Sequence, residues 1–83
     1  MHFQETTEGD YRIFAGAIEA PARGGYFAAL VVNRTGPTQR PLEAFRDTLL
    51  AAGYRWPSAD EALRYAVQRG QEIVRRRPTM LTC

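Results

Sequence analysis

Few side chains in this sequence could do chemistry, and none has the neighbours that a catalytic or metal site needs. His2 is the only histidine, without a partner base, nucleophile or metal co-ligand in the adjacent sequence. Catalytic histidines work beside a nucleophile, and stable zinc sites need three or four ligands. The single Cys83 cannot form a disulfide within the chain. We therefore predict a protein that is not an enzyme and has no metal or cofactor.

Two pairs of carboxylates could be read as acid–base groups. Glu43 and Asp47 are four residues apart, and Asp60 and Glu61 are adjacent. Acid–base catalysis needs a further partner positioned at the reacting proton, and neither pair has one. We interpret the first pair as a solvated surface near Arg46 and the second as the acidic first turn of a helix.

The most notable surface candidate combines arginine with aromatic residues. Tyrosine, tryptophan and arginine dominate the energetics of protein interfaces, and the same residue types can stack on bases. The alternative is that Trp56 fills the gap between a sheet and the start of a helix, with Tyr54 at the core edge. We place Tyr65 on the polar side of that helix. The candidate interaction surface comprises Tyr54, Arg55, Trp56, Arg64, Tyr65, Arg69 and Arg76.

All 11 basic residues are arginine, which leaves a nucleic-acid-binding function as an alternative. Guanidinium groups recognise phosphates and stack on bases, and Arg69 and Arg76 share one side of the C-terminal helix. However, nine acidic residues leave a net charge of only +2, so little field remains to attract a polyanion. An Arg- and Ala-rich composition is also what a GC-rich coding sequence produces.

Length and composition predict one domain in a reducing compartment. A chain of 83 residues has room for a single thin core. The first ten residues carry acids and no apolar segment, which argues against a signal peptide, and no apolar run could span a membrane. We expect a cytoplasmic protein with an ordered core over about 10–77 and flexible tails at 1–9 and 78–83.

A β-hairpin is predicted in the first half of the chain. Residues 10–20 and 26–33 are rich in β-branched and aromatic residues, and Pro21 to Gly25 form a turn between them. In residues 26–33, apolar side chains occupy odd- and even-numbered positions alike. Since alternate residues of a strand point to opposite faces, this predicts that both faces are at least partly covered. Residues 42–52 could be a short helix or a third strand of the same sheet.

A C-terminal helix is predicted from residue 59 to residue 77. Ser58 and Glu61 have the spacing of a capping box, and the apolar positions that follow repeat with a period of 3.6. Gly70 lies on this apolar stripe, so we expect the helix to lie close to the sheet there. The predicted fold is a two-layer α+β domain, with a sheet of two or three antiparallel strands against one amphipathic helix.

Gly53 to Arg69, preceded by the hairpin, resembles a family of short uncharacterised proteobacterial proteins. In that family a hairpin leads through a Trp-Pro-Ser or similar cap into a final Ala-rich helix. The resemblance implies a bacterial protein with this order of elements, and it implies no activity. We predict a non-catalytic binding or accessory module that acts through a protein partner or as a homodimer and does not bind membranes.

Overall fold

A computed structural model describes residues 2–22, 24–35 and 42–76. It shows an α+β protein in which one antiparallel sheet packs against a C-terminal helix, as predicted. The strands follow one another in the sheet in the order of the sequence. The elements are β1 (His2–Glu8), β2 (Tyr11–Glu19), β3 (Tyr26–Arg34), β4 (Leu42–Asp47), α1 (Leu50–Gly53) and α2 (Ala59–Arg75).

The sheet has four strands rather than two or three, and the extra strand is at its N-terminal edge. The prediction of a flexible tail over 1–9 is wrong, because β1 pairs with β2 from His2 opposite Ala17 to Glu8 opposite Tyr11. A two-residue loop joins the strands, and its first residue, Gly9, has a φ of +60°. Glycine at this position is typical of a type II′ hairpin turn. Residues 2–8 form a strand because they pair with β2 along their whole length, although few of them are apolar. The expected tail at 78–83 lies outside the described residues.

In the segment 42–52 the strand alternative is confirmed over Leu42–Asp47, and a short turn follows it. β4 pairs with β3, with a register shift between Val32 and Asn33. The short α1 that follows is not a regular helix, because Ala51 and Ala52 have positive φ values of 53° and 54°. Leu50 in this turn is buried and joins the core. The predicted helical stripe from Leu42 is therefore overridden by pairing with an available strand edge.

The C-terminal helix begins as the sequence predicts and covers one face of the sheet. The Ser58 hydroxyl accepts a hydrogen bond from the Glu61 backbone N–H at 3.2 Å, and donates one to the Glu61 carboxylate at 3.1 Å. The buried positions of α2 recur every four residues and pack against β2 and β3. They are Ala62, Ala66, Gly70 and Val74.

Gly70 marks the closest approach of α2 to the sheet. A Cβ atom at this position would lie 2.6 Å from Cγ2 of Ile13 and 3.1 Å from Cδ1 of Leu30. Both of these side chains are fully buried. The predicted close packing at Gly70 is confirmed.

Candidate functional site

Three of the aromatic residues that the sequence singled out are brought together beside the start of α2. The ring centroids of Tyr54 and Trp56 are 4.7 Å apart in an edge-to-face arrangement. The rings of Trp56 and Tyr65 are also 4.7 Å apart and tilted by 35°. Such contacts stabilise the packing beyond the area they bury. We call Tyr54, Trp56 and Tyr65 the aromatic row.

Trp56 has a structural position, as the alternative interpretation predicted. Its backbone forms two hydrogen bonds of 2.9 Å with Tyr26, which extend the sheet beside β3. Its side chain is half-buried and packs against the core, as does that of Tyr65. The placement of Tyr65 on the solvated side of the helix is therefore wrong. On the helix, Tyr65 lies beside the small buried residues Ala62 and Ala66, so its large ring fills space at the edge of the apolar stripe of α2.

Arg55 points away from the aromatic row and lies against the other side of the sheet. Its guanidinium carbon is 5.4 Å from the centre of the Phe27 ring, within the range of a cation–π contact. In extended backbone, successive side chains point to opposite sides, which separates Arg55 from its neighbours Tyr54 and Trp56. Within the described part of the chain, the Nη1 atom of Arg55 is buried without a hydrogen-bond partner.

The helix arginines are a less basic surface than the sequence implied. Nη1 of Arg69 forms an ion pair with Glu72 at 3.0 Å, so its charge is largely offset. Arg64 and Arg76 are exposed, and Arg76 forms the C-cap of α2. Of the seven candidate residues, the three of the aromatic row are linked by ring contacts.

The opposite face of the sheet, which we call the open face, is the larger candidate surface. No element among the described residues packs against it, yet the two central strands present apolar side chains there. Phe14 and Ile18 of β2 lie opposite Val31 and Phe27 of β3, and all four are only partly buried. On β1, Phe3 is 61% exposed and its ring stacks on that of Phe14, with centroids 6.0 Å apart.

Two ion pairs lie on the open face, one between β1 and β2 and one within β4. Nε of Arg12 forms an ion pair with Glu5 at 3.2 Å, and Nη2 of Arg46 forms one with Glu43 at 2.9 Å. The pKa of Arg46 is raised, chiefly because its side chain donates a hydrogen bond to the Glu43 carboxylate, whose charge also attracts it. Apolar side chains in the centre and ion pairs at the border are the usual anatomy of an interface.

The sequence contains a signal for the open face. The apolar residues on both parities of 26–33 predicted cover on both faces of this strand. In the structure, Ala28, Leu30 and Val32 are buried on the side of α2. Phe27 and Val31 project to the open face, where the guanidinium of Arg55 lies over the Phe27 ring. Both described helical segments, α1 and α2, pack on the same side of the sheet, and the sequence pattern alone does not indicate this.

The remaining chemistry-bearing residues are dispersed. Asp47 accepts a hydrogen bond from the backbone N–H of Leu49 at 2.9 Å, while Glu43 binds Arg46. Asp60 and Glu61 lie in the first turn of α2, as predicted. Within residues 2–22, 24–35 and 42–76, no group of three His, Cys, Asp or Glu side chains could hold a metal ion, and none of the described helices is long and apolar enough to cross a membrane.

The architecture is thus that of an α+β protein with a four-stranded meander, one helical layer and an apolar sheet face opposite that layer. Comparisons with protein-family models, curated protein sequences and solved structures found no match.

Proposed function

We propose that this protein is a non-catalytic binding module whose binding surface is the open face of its sheet. The observation that carries the proposal is the apolar character of the outward positions on β2 and β3. A half-solvated antiparallel sheet normally alternates apolar residues inside with polar residues outside. Here the outward positions of both central strands are apolar or glycine except for Arg12 and Asn33, which lie opposite each other at one end of the open face. Contiguous apolar surface with a polar border is typical of interaction sites.

The open face supports this function better than the aromatic row does. Trp56 and Tyr65 contact the core and each other, so removing either ring would disturb the fold. Tyr54 is 56% exposed and adds one aromatic ring to the accessible surface. By contrast, Phe3, Phe14 and Phe27 provide three rings on one side of one sheet.

Site-specific photo-crosslinking in the producing cells tests which surface binds. A photoreactive phenylalanine analogue replaces Phe14 on the open face in one variant and Tyr54 of the aromatic row in another. The matched control places it at Gln68, an exposed position of α2. We expect a discrete protein adduct from position 14 and none from position 68.

The outcomes separate the candidate surfaces. An adduct from position 54 but not from position 14 would move the binding site to the aromatic row. Absence of adducts from position 14 in a folded, expressed variant would refute the open face as a binding surface. Fractionation of the same cells tests the proposed cytoplasmic location, where the crosslinking partner is expected as well.

A further inference from the structure

We propose that the occupant of the open face is a second copy of this chain, packed face to face about a two-fold axis parallel to the strands. This inference rests on the proposed function, because it requires the open face to be a binding surface. The structure supports it through the order of residues across the sheet, the charges at its two edges and the area available.

The central row of the open face has opposite charges at its two ends. Glu5 lies opposite Phe14, Phe14 opposite Val31 and Val31 opposite Arg46. Residues opposite each other in neighbouring antiparallel strands project to the same side of the sheet. Across the sheet from β1 to β4, this row therefore consists of an acid, two apolar residues and a base.

A two-fold axis parallel to the strands makes this row complementary to itself. The rotation places β1 of one copy over β4 of the other, so Glu5 faces Arg46 of the second copy and Arg46 faces its Glu5. In the centre, Phe14 faces Val31 in both directions. The ion pairs with Arg12 and Glu43 flank these contacts, so the charges alternate in sign across each edge of the interface.

The neighbouring rows are compatible with the same axis. Gly16 lies opposite Ala29, so the rotation places a residue without a side chain over a methyl group in both directions. Ile18 lies opposite Phe27, and the guanidinium of Arg55 lies over the Phe27 ring. The next row therefore brings a branched side chain onto an aromatic ring that already contacts a cation. The interface therefore places no two phenylalanine rings directly over each other in these rows, and the small residues leave room for the larger ones beside them.

Other ways of joining two copies fit the charges less well. A two-fold axis in the interface plane but perpendicular to the strands would place β1 over β1, so Glu5 would face Glu5 and Arg46 would face Arg46. Like charges placed together disfavour association. Pairing of two β1 edges into one continuous sheet would satisfy their backbone groups, but it would leave the apolar side chains of the open face uncovered.

The available area suits a reversible dimer. Four strands about 4.8 Å apart, with a rise of about 3.4 Å per residue, give the sheet a projected area of roughly 500 Å². Two copies would bury about 1,000 Å² before the relief of the side chains is added, which is near the lower end of specific interfaces. Two sheets with native twist pack with their strands about 30° apart, so the contacts are closest in the central row. We expect a dissociation constant in the micromolar range.

Charge exchange between copies provides the test. Sedimentation equilibrium of the whole chain from about 1 µM to about 1 mM should show a monomer–dimer equilibrium. Glu5→Arg alone and Arg46→Glu alone should each weaken the dimer at least about tenfold, because every such homodimer contains two pairs of like charges. An equimolar mixture of the two variants should recover dimerisation, because the mixed dimer again has opposite charges at both positions.

The controls separate this effect from a loss of folding. Thermal melts establish that each variant is folded, and Glu72→Arg, which reverses an exposed charge of α2, should leave dimerisation unchanged. As a second measurement, the photo-crosslinked species from position 14 should have twice the mass of the chain, with the crosslink in the peptide that contains Val31.

Each remaining outcome overturns a defined part of the reasoning. If the protein is monomeric throughout the concentration range, the second copy is refuted as the occupant. The same follows if the mixture of the two variants dimerises no better than either variant alone. If position 14 then crosslinks to a different protein, the binding module stands and the dimer does not. If position 14 gives no adduct at all, the binding module itself is refuted.

Discussion

Replacing Gly70 by alanine tests how closely α2 lies on the sheet. In an exposed helix this change would stabilise the protein by about 1 kcal/mol, because alanine has the higher helix propensity. Here the new Cβ would lie 2.6 Å from Cγ2 of Ile13 and 3.3 Å from its Cδ1. Overpacking of a tight core costs about 1–3 kcal/mol. We expect the clash to prevail and the free energy of unfolding to fall by about 1 kcal/mol.

A double-mutant cycle identifies the contact responsible. Ile13→Leu conserves volume but removes the methyl branch nearest to the new Cβ, and such exchanges usually cost less than about 1.5 kcal/mol. The loss caused by Gly70→Ala should therefore be smaller in the Ile13→Leu background, with a favourable coupling of at least about 0.5 kcal/mol. Urea melts of dilute protein measure this, with Gln68→Ala as the control. A Gly70→Ala variant as stable as the parent would refute the close approach.

Other changes address the helix start, the aromatic row and the arginines. Ser58→Ala should lower the free energy of unfolding by about 1 kcal/mol in denaturant melts, because the Glu61 N–H loses its acceptor; Ser58→Asp, which keeps an acceptor, should lose less. Trp56→Ala should destabilise by about 3 kcal/mol or more, whereas Tyr54→Ala should cost less than half as much, and equal losses would contradict the assignment of Trp56 to the core. Labelled oligonucleotides should not bind near physiological salt; binding that disappears in the Arg69→Gln, Arg76→Gln double variant would favour the nucleic-acid alternative.

Much of the fold could be predicted because local signals and packing agree in the second half of the chain. The cap at Ser58 and the apolar stripe of α2 determine where the helix begins and which side faces the sheet. β1 escaped prediction because Phe3 is its only strongly apolar residue, although the Gly9-Asp10 pair is a turn signal of the kind that joins two strands. The apolar residues of β4 are spaced as in a helix, but the segment forms a strand because it makes backbone hydrogen bonds with the edge of β3.

The candidate site could be predicted only in part, because burial depends on which faces the helix covers. Trp56 and Tyr65 belong to residue types common in interfaces, but the same large rings also fill gaps in a thin core, and sequence spacing does not separate these two uses. The apolar outward residues of β3, Phe27 and Val31, were visible in the sequence. Their exposure follows from the arrangement of one helix on one face of four strands, which only the three-dimensional packing reveals.

The order of the elements along the chain has a consequence for synthesis. All four strands precede α2, so the sheet is complete in the emerging polypeptide before its helical cover is available. During that interval both faces of the sheet expose apolar side chains, and such species are prone to aggregate. A ribosome-bound chain in which β4 has left the exit tunnel while α2 is still inside it should therefore recruit chaperones, and a chain extended so that α2 has also emerged should release them. Because each strand pairs with its neighbour in sequence, the sheet itself can form quickly. Fast sheet formation lengthens the interval during which the sheet exists without its covering helix.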